Sequence, residues 1–133
     1  MIKKLLLGLL GIVVLGGVIG HLVERGKPTP PPRTPEEVAR DAQRGAVVRA
    51  GAQLRSMTND PDSFRLDQAL LMPDGTGCYG YRAKNALGGI VRASAVFDGK
   101  AITTSSDRSG AFQRTWDAKC AGKSGEEVTA AVR

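Results

Sequence analysis

The chain is 133 residues long with a formal net charge of +6, and this length holds one domain once a segment unable to join a soluble core is set aside. The charge does not indicate nucleic acid: residues 1–33 carry five Lys or Arg against one Glu and residues 34–133 carry fourteen basic against twelve acidic side chains, with no basic-aromatic cluster to stack bases. The single histidine, His21, is remote from both cysteines, which excludes a Cys-His nucleophile and a zinc site of nitrogen and sulfur ligands.

No Walker-type or dinucleotide-binding glycine loop is present, Asp60 and Asp98 are accounted for by turns, and the other aspartates read as solvated surface. The chain is therefore read as a non-enzyme without cofactor or metal.

From Leu5 to Val23, nineteen residues lack a charged side chain. As a helix this run would reach roughly 28 Å, close to the thickness of a bilayer's hydrocarbon core. It predicts a transmembrane signal-anchor over residues 1–23, with the lipid bilayer as partner. Lys3 and Lys4 before the run also suit a cleaved signal peptide, but Val18-Ile19-Gly20 is a poor cleavage site. The absence of a cysteine at the end of the run excludes a lipid-modified N-terminus. Lys3 and Lys4 on one side face Arg25, Lys27 and Arg33 on the other, so charge alone barely orients the span. The short N-terminal tail, the distal cysteines and the proline-rich tether place the N-terminus inside and the domain on the periplasmic side of the inner membrane. Gly16 and Gly20 form a small-x-x-x-small pair suited to helix association and a homo-oligomer.

Residues 24–33 contain four prolines and no core-forming side chain, predicting an extended linker. Thr34-Pro35-Glu36-Glu37 supplies an N-cap, a proline at the first helical position and a glutamate at the third. Val38, Ala42, Ala46, Val47, Leu54 and Met57 then recur near the helical period, predicting a helix over 35–57 that Gly45 and Gly51 each weaken by about 1 kcal/mol. After the turn at residues 59–63, strands are predicted over Phe64–Met72, Cys78–Ala83, Gly89–Phe97 and Lys100–Thr104, the last two joined by Asp98-Gly99. A short helix over Ala111–Cys120 places Phe112, Trp116 and Cys120 on one face, and residues 122–133 read as a frayed tail. The fold expected is α+β: an N-terminal transmembrane helix, then one helix packed on an antiparallel sheet of three to four strands, with a short C-terminal helix, the exported domain running over residues 34–121.

In an exported domain Cys78 and Cys120 read first as a disulfide, the alternative being two buried thiols in a reducing compartment. The loop closed would be about 43 residues, worth roughly 4 kcal/mol in the chain-entropy model.

Asp60-Pro61-Asp62-Ser63-Phe64, then Cys78, then Tyr81-Arg82-Ala83-Lys84-Asn85-Ala86-Leu87-Gly88-Gly89 carry a resemblance. Over residues 54–120 the chain resembles a set of small exported bacterial and phage-encoded domains that share an Asp-Pro-x-Ser turn, a strand with cysteine, a Lys-Asn-x-x-Gly-Gly loop and a later Phe. The resemblance implies a helix on a small sheet and a secreted or membrane-anchored life, and it names no reaction.

The candidate binding residues are Arg82, Lys84, Asn85, Gly88 and Gly89, where cations meet a glycine-bearing turn able to present backbone N–H groups to an anion or a peptide terminus. The competing reading is that Asn85 and the glycines supply the positive φ of a strand connection while Arg82 and Lys84 face water. The function expected is an anchored binding or inhibitory module acting on another envelope component, with exclusion of a second phage's DNA entry as one purpose suggested by the phage-encoded relatives. The alternative is a structural accessory subunit assembled through its membrane helix into a larger complex. A thiol redox role is disfavoured by the lack of Cys-x-x-Cys.

Overall fold

The computed structural model describes residues 29–133. The chain divides into two units, Met1–Arg33 and Thr34–Arg133, and the second holds every helix and strand described. The span expected over residues 1–23, with Gly16 and Gly20, lies outside the described residues.

Thr34 caps the first helix, α1 (Pro35–Ser56). Its hydroxyl accepts the Glu37 N–H at 3.2 Å, and the Glu37 carboxylate accepts the Thr34 N–H at 2.7 Å, so two otherwise unpaired donors are satisfied reciprocally. Four strands follow in the order β1 (Arg65–Leu71), β2 (Gly77–Lys84), β3 (Ile90–Phe97) and β4 (Ile102–Thr104). Helix α2 (Ala111–Lys119), a two-residue strand β5 (Glu126–Glu127) and a single turn α3 (Thr129–Val132) complete the domain. The sheet runs β4-β3-β2-β1-β5, with every neighbouring pair antiparallel.

The expected architecture is corrected in two respects. The described domain is one five-stranded sheet with three helices rather than three to four strands with two, because β5 and α3 add to it. Among the described residues no helix is long and apolar enough to cross a membrane, so the membrane helix is not part of the architecture stated here.

Strand alternation divides the core. Tyr79, Tyr81 and Ala83 of β2 face α1 and pack with Val47, Ala50 and Leu54, and a bulge between Leu66 and Gln68 brings Leu66, Ala69 and Leu71 onto that same face. On the opposite face Cys78, Val96 and Met72 meet Phe112 and Cys120, with Trp116 packed alongside. Cys78 and Cys120 form a disulfide with a Cα–Cα distance of 5.9 Å, tying the end of α2 to the central strand. Next to it, Lys119 pairs with Asp74 in the β1–β2 turn. The Lys119 hydrogen bond, together with the Thr76 N–H, draws the Asp74 carboxyl down from 3.8 to about 2. The stabilisation from this pair is therefore complete above the ordinary carboxylate range and is lost as pH falls through about 2.

The apolar stripe read for α1 is only half used. Val47, Ala50, Gly51 and Leu54 are buried, whereas Val38 is 53% exposed and Ala42 and Met57 also face solvent. The first turns are held instead by polar contacts: the Arg40 guanidinium donates to the Met72 carbonyl at 3.1 Å, and Arg40 and Arg44 both pair with Glu126.

Residues 122–133, expected to fray, instead cover the edge of β1. The Ala69 N–H donates to the Thr129 hydroxyl at 2.9 Å, the Val128 N–H donates to the Ala69 carbonyl at 2.9 Å, and the Arg133 guanidinium donates to the Leu66 carbonyl at 3.2 Å. An open edge would leave these groups unpaired.

The two α1 glycines differ in a way that can be measured. A Cβ on Gly51 would lie 2.5 Å from Val132 and 3.2 Å from the Tyr79 ring, whereas on Gly45 it would meet only the Arg49 guanidinium at 3.2 Å, the end of a flexible side chain. Gly45→Ala is expected to stabilise by up to about 1 kcal/mol through helix propensity, and Gly51→Ala to destabilise despite the same propensity gain; urea unfolding of both variants checks the opposite signs. Replacing Cys78 and Cys120 together with alanine is expected to lower Tm by at least about 15 °C, the equivalent of roughly 4 kcal/mol of loop-closure entropy, and calorimetry with and without reductant reads it.

Candidate functional site

The residues singled out from the sequence meet at one end of the domain, where β2 turns into β3. The Asp60-Pro61-Asp62-Ser63 turn and the Lys84-Asn85 segment, distant in sequence, are joined there. The Asp60 carboxylate accepts the N–H groups of Asp62 and Ser63, at 3.1 and 3.3 Å, an Asx arrangement that fixes the turn. The Ser63 hydroxyl donates to the Asp60 carbonyl at 2.7 Å and accepts the Lys84 N–H at 2.9 Å. The turn thus clamps the last residue of β2. The Lys84 ammonium lies 3.8 Å from the Asp60 carboxylate, both half exposed, a pair of little net stability.

Asn85 organises the hairpin loop. Its side-chain oxygen accepts the N–H groups of Leu87 at 3.0 Å and Gly89 at 2.9 Å, while its backbone N–H donates to the Gly89 carbonyl and its carbonyl accepts the Gly88 N–H. Gly88 has φ +82°, the left-handed conformation a Cβ disfavours. Three loop N–H groups therefore turn inward to Asn85 and are not available to an anion. Arg82 donates to the Asp67 carboxylate at 3.0 Å from Nε and lies 2.9 Å from it through its terminal nitrogen. It stands in register between Arg65 of β1 and Arg92 of β3. Arg92 has no hydrogen bond or ion pair among the described residues. Cys78 and Cys120 are bonded to each other at the other end of β2 and take no part in this surface.

What the sequence reading missed is apolar. Leu87 at the loop tip is 95% exposed, Ile90 67%, Met57 50% and Val91 43%. Met57 and Val91, with Tyr81, Ala83 and Ala93, line an open cleft of about 320 Å³ on the α1 face, where β3 runs on past the cover of the helix. The signal was a leucine inside a glycine-bearing turn, followed by Ile90-Val91 at the start of a strand. A larger cleft of about 630 Å³ lies between α1 and β1 and is lined by Arg55, Arg65, Arg82 and Arg133. Its guanidinium groups are already engaged with the carbonyls of Pro61, Asp62, Phe64 and Leu66 and with Asp67, which makes it a scaffold rather than a receptor.

Asp74, Asp98 and Asp107 are lowered mainly by hydrogen bonds in or beside their own turns, while Tyr79 and Tyr81 are raised by burial, the Tyr79 hydroxyl donating to the Val47 carbonyl at 2.6 Å. Among the described residues no group of three or more His, Cys, Asp or Glu side chains could hold a metal ion.

Asn85→Ala is expected to cost about 1–2 kcal/mol, because two loop N–H groups lose their acceptor. Amide hydrogen exchange should quicken at Leu87 and Gly89 while Ala95 in the sheet keeps its protection. Compared with protein-family models, curated proteins and solved structures, the chain matches none, and the likeness to exported phage and bacterial domains rests on the sequence motifs alone.

Proposed function

We propose that the protein is a non-enzymatic binding module of the extracytoplasmic side of the membrane, docking onto another envelope component through the β2–β3 hairpin end. The observation that carries this reading is the gathering of Leu87, Ile90, Val91 and Met57, all large, apolar and exposed, at one end of the domain. Scattered exposed apolar residues need no explanation, but a cluster of them marks a contact surface. Each such side chain contributes at most about 1.5–3 kcal/mol when fully buried, Met57 and Val91 lying on the α1 face and Ile90 on the other, with Leu87 at the tip between them.

The disulfide supports an oxidising compartment, since such bonds rarely persist in a reducing cytosol. The clamped turn and the Asn85 contacts hold the loop in one conformation before any partner arrives, which reduces the ordering cost of binding. An inhibitory use, such as blocking the entry of a second phage's DNA, would work through the same surface by occupying a component of the envelope.

The test is photo-crosslinking in intact cells, with a benzophenone amino acid placed at Leu87 or Ile90 and, as control, at the exposed Gln53 of α1. The expected result is a discrete adduct from Leu87 and Ile90 and none from Gln53. Equal products from all three sites, or none from any, would remove the hairpin end as the docking surface.

A further inference from the structure

The same hairpin end has a second property, its charge. Residues 77–97, which make up β2, the loop and β3, contain Arg82, Lys84 and Arg92 and no Asp or Glu. The pairing places them in an order: Leu87 stands at the tip, Lys84 lies opposite Ile90, and Arg82 lies opposite Arg92, about 7 Å further back along the strands. Because Arg82, Lys84, Ile90 and Arg92 alternate in step, they share the sheet face turned away from α1.

We propose that this hairpin end is a membrane-contact element: Leu87 and Ile90 enter the outer part of an anionic lipid leaflet while Lys84 and Arg92 bind the phosphates of its headgroups. The inference rests on the docking reading above and names the partner of that site.

Three features favour a lipid surface over a protein groove. First, insertion into a poorly hydrated layer is costly for bare backbone, and here the N–H groups of Leu87, Gly88 and Gly89 are already bonded to Asn85, so the tip carries few unsatisfied donors into the interface. Second, an apolar tip with Lys84 level with Ile90 and Arg92 about 7 Å behind it matches the depth over which a leaflet changes from hydrocarbon to phosphate, and lysine and arginine reach that level on long apolar stems. Third, Arg92 lacks any counter-charge among the described residues, Lys84 has one only at 3.8 Å, and the row of Arg65, Arg82 and Arg92 sets like charges opposite one another across adjacent strands. Asp67 offsets Arg82 within that row, which leaves Lys84 and Arg92 as the charges that an anionic surface would answer.

The test uses the full chain with Trp116→Phe to remove the native indole and Leu87→Trp to report from the tip, reconstituted in vesicles of phosphatidylcholine with or without phosphatidylglycerol and with doxyl-labelled lipids as quenchers. The expected result is a blue-shifted emission quenched by shallow doxyl groups only when phosphatidylglycerol is present, and no quenching for a Gln53→Trp control. Adding Lys84→Gln and Arg92→Gln should weaken the tip's insertion on the order of tenfold, as should a rise in salt. Equal quenching in neutral vesicles would overturn headgroup recognition, and no quenching in either would overturn insertion. The in-cell crosslink from Leu87 separates the two readings: a lipid adduct supports this proposal, a protein adduct alone overturns it while leaving the docking surface standing, and no adduct removes both.

Discussion

Strand β2 must bury both of its faces at one end and only one at the other, and the remaining elements are arranged around that requirement. From Gly77 to Tyr79 every residue is buried, and from Tyr81 to Lys84 buried and exposed residues alternate. A strand covered on both sides reads as continuous apolar sequence, and one covered on a single side alternates; this strand does each in turn. α1 supplies the first cover along most of its length, and α2, fastened by the Cys78–Cys120 bond, supplies the second over the buried end. Beyond Gly80 the second face has no helix over it. A Cβ on Gly80 would meet nothing within 4 Å, so the open face begins there.

The strand edges are treated differently from the faces. β1 is shielded by Val128, Thr129 and the Arg133 side chain, whereas at the other edge β4 pairs only with Ala95–Phe97 of β3, so the outer edge of β3 from Ile90 to Ala93 has no strand beside it.

Much of this was legible in the sequence because its determinants are local. The Thr34–Glu37 capping box fixed where α1 begins, Asp98-Gly99 marked the β3–β4 turn, and two cysteines in a small domain pointed to one bond. The Lys84–Gly89 loop was identified as the candidate site, and its parts do lie together. The misreadings concern what local pattern cannot carry. Val38, Ala42 and Met57 recur at helical spacing, yet periodicity states which residues share a face, not how far the neighbouring sheet extends beneath it. A two-residue strand and a one-turn helix have no period to detect, so β5 and α3 emerge only from their bonds to β1. The backbone donors expected to face a ligand are instead occupied by Asn85, a choice between two geometries that the same six residues permit. Ile90 was passed over because an apolar residue in a strand is ordinarily assigned to the core, and Leu87 because the loop was read for its cations and glycines.

The domain is polarised along β2. Around the β1–β2 turn lie the disulfide, the Asp74–Lys119 pair and the contacts of Arg40 and Arg44 with Glu126 and Met72. At about 3.4 Å per residue the hairpin end stands roughly 24 Å away from them, held by short-range bonds of its own from Ser63 and Asn85. Because these two sets of interactions share no side chain, the exposed tip does not contribute to the core that supports it, and the core does not depend on the tip being covered. A surface of exposed leucine and isoleucine is costly only if it also destabilises the fold or recruits other copies through open strands. Here the first is avoided by distance, and the second is limited at β1 by the cover of Val128, Thr129 and Arg133.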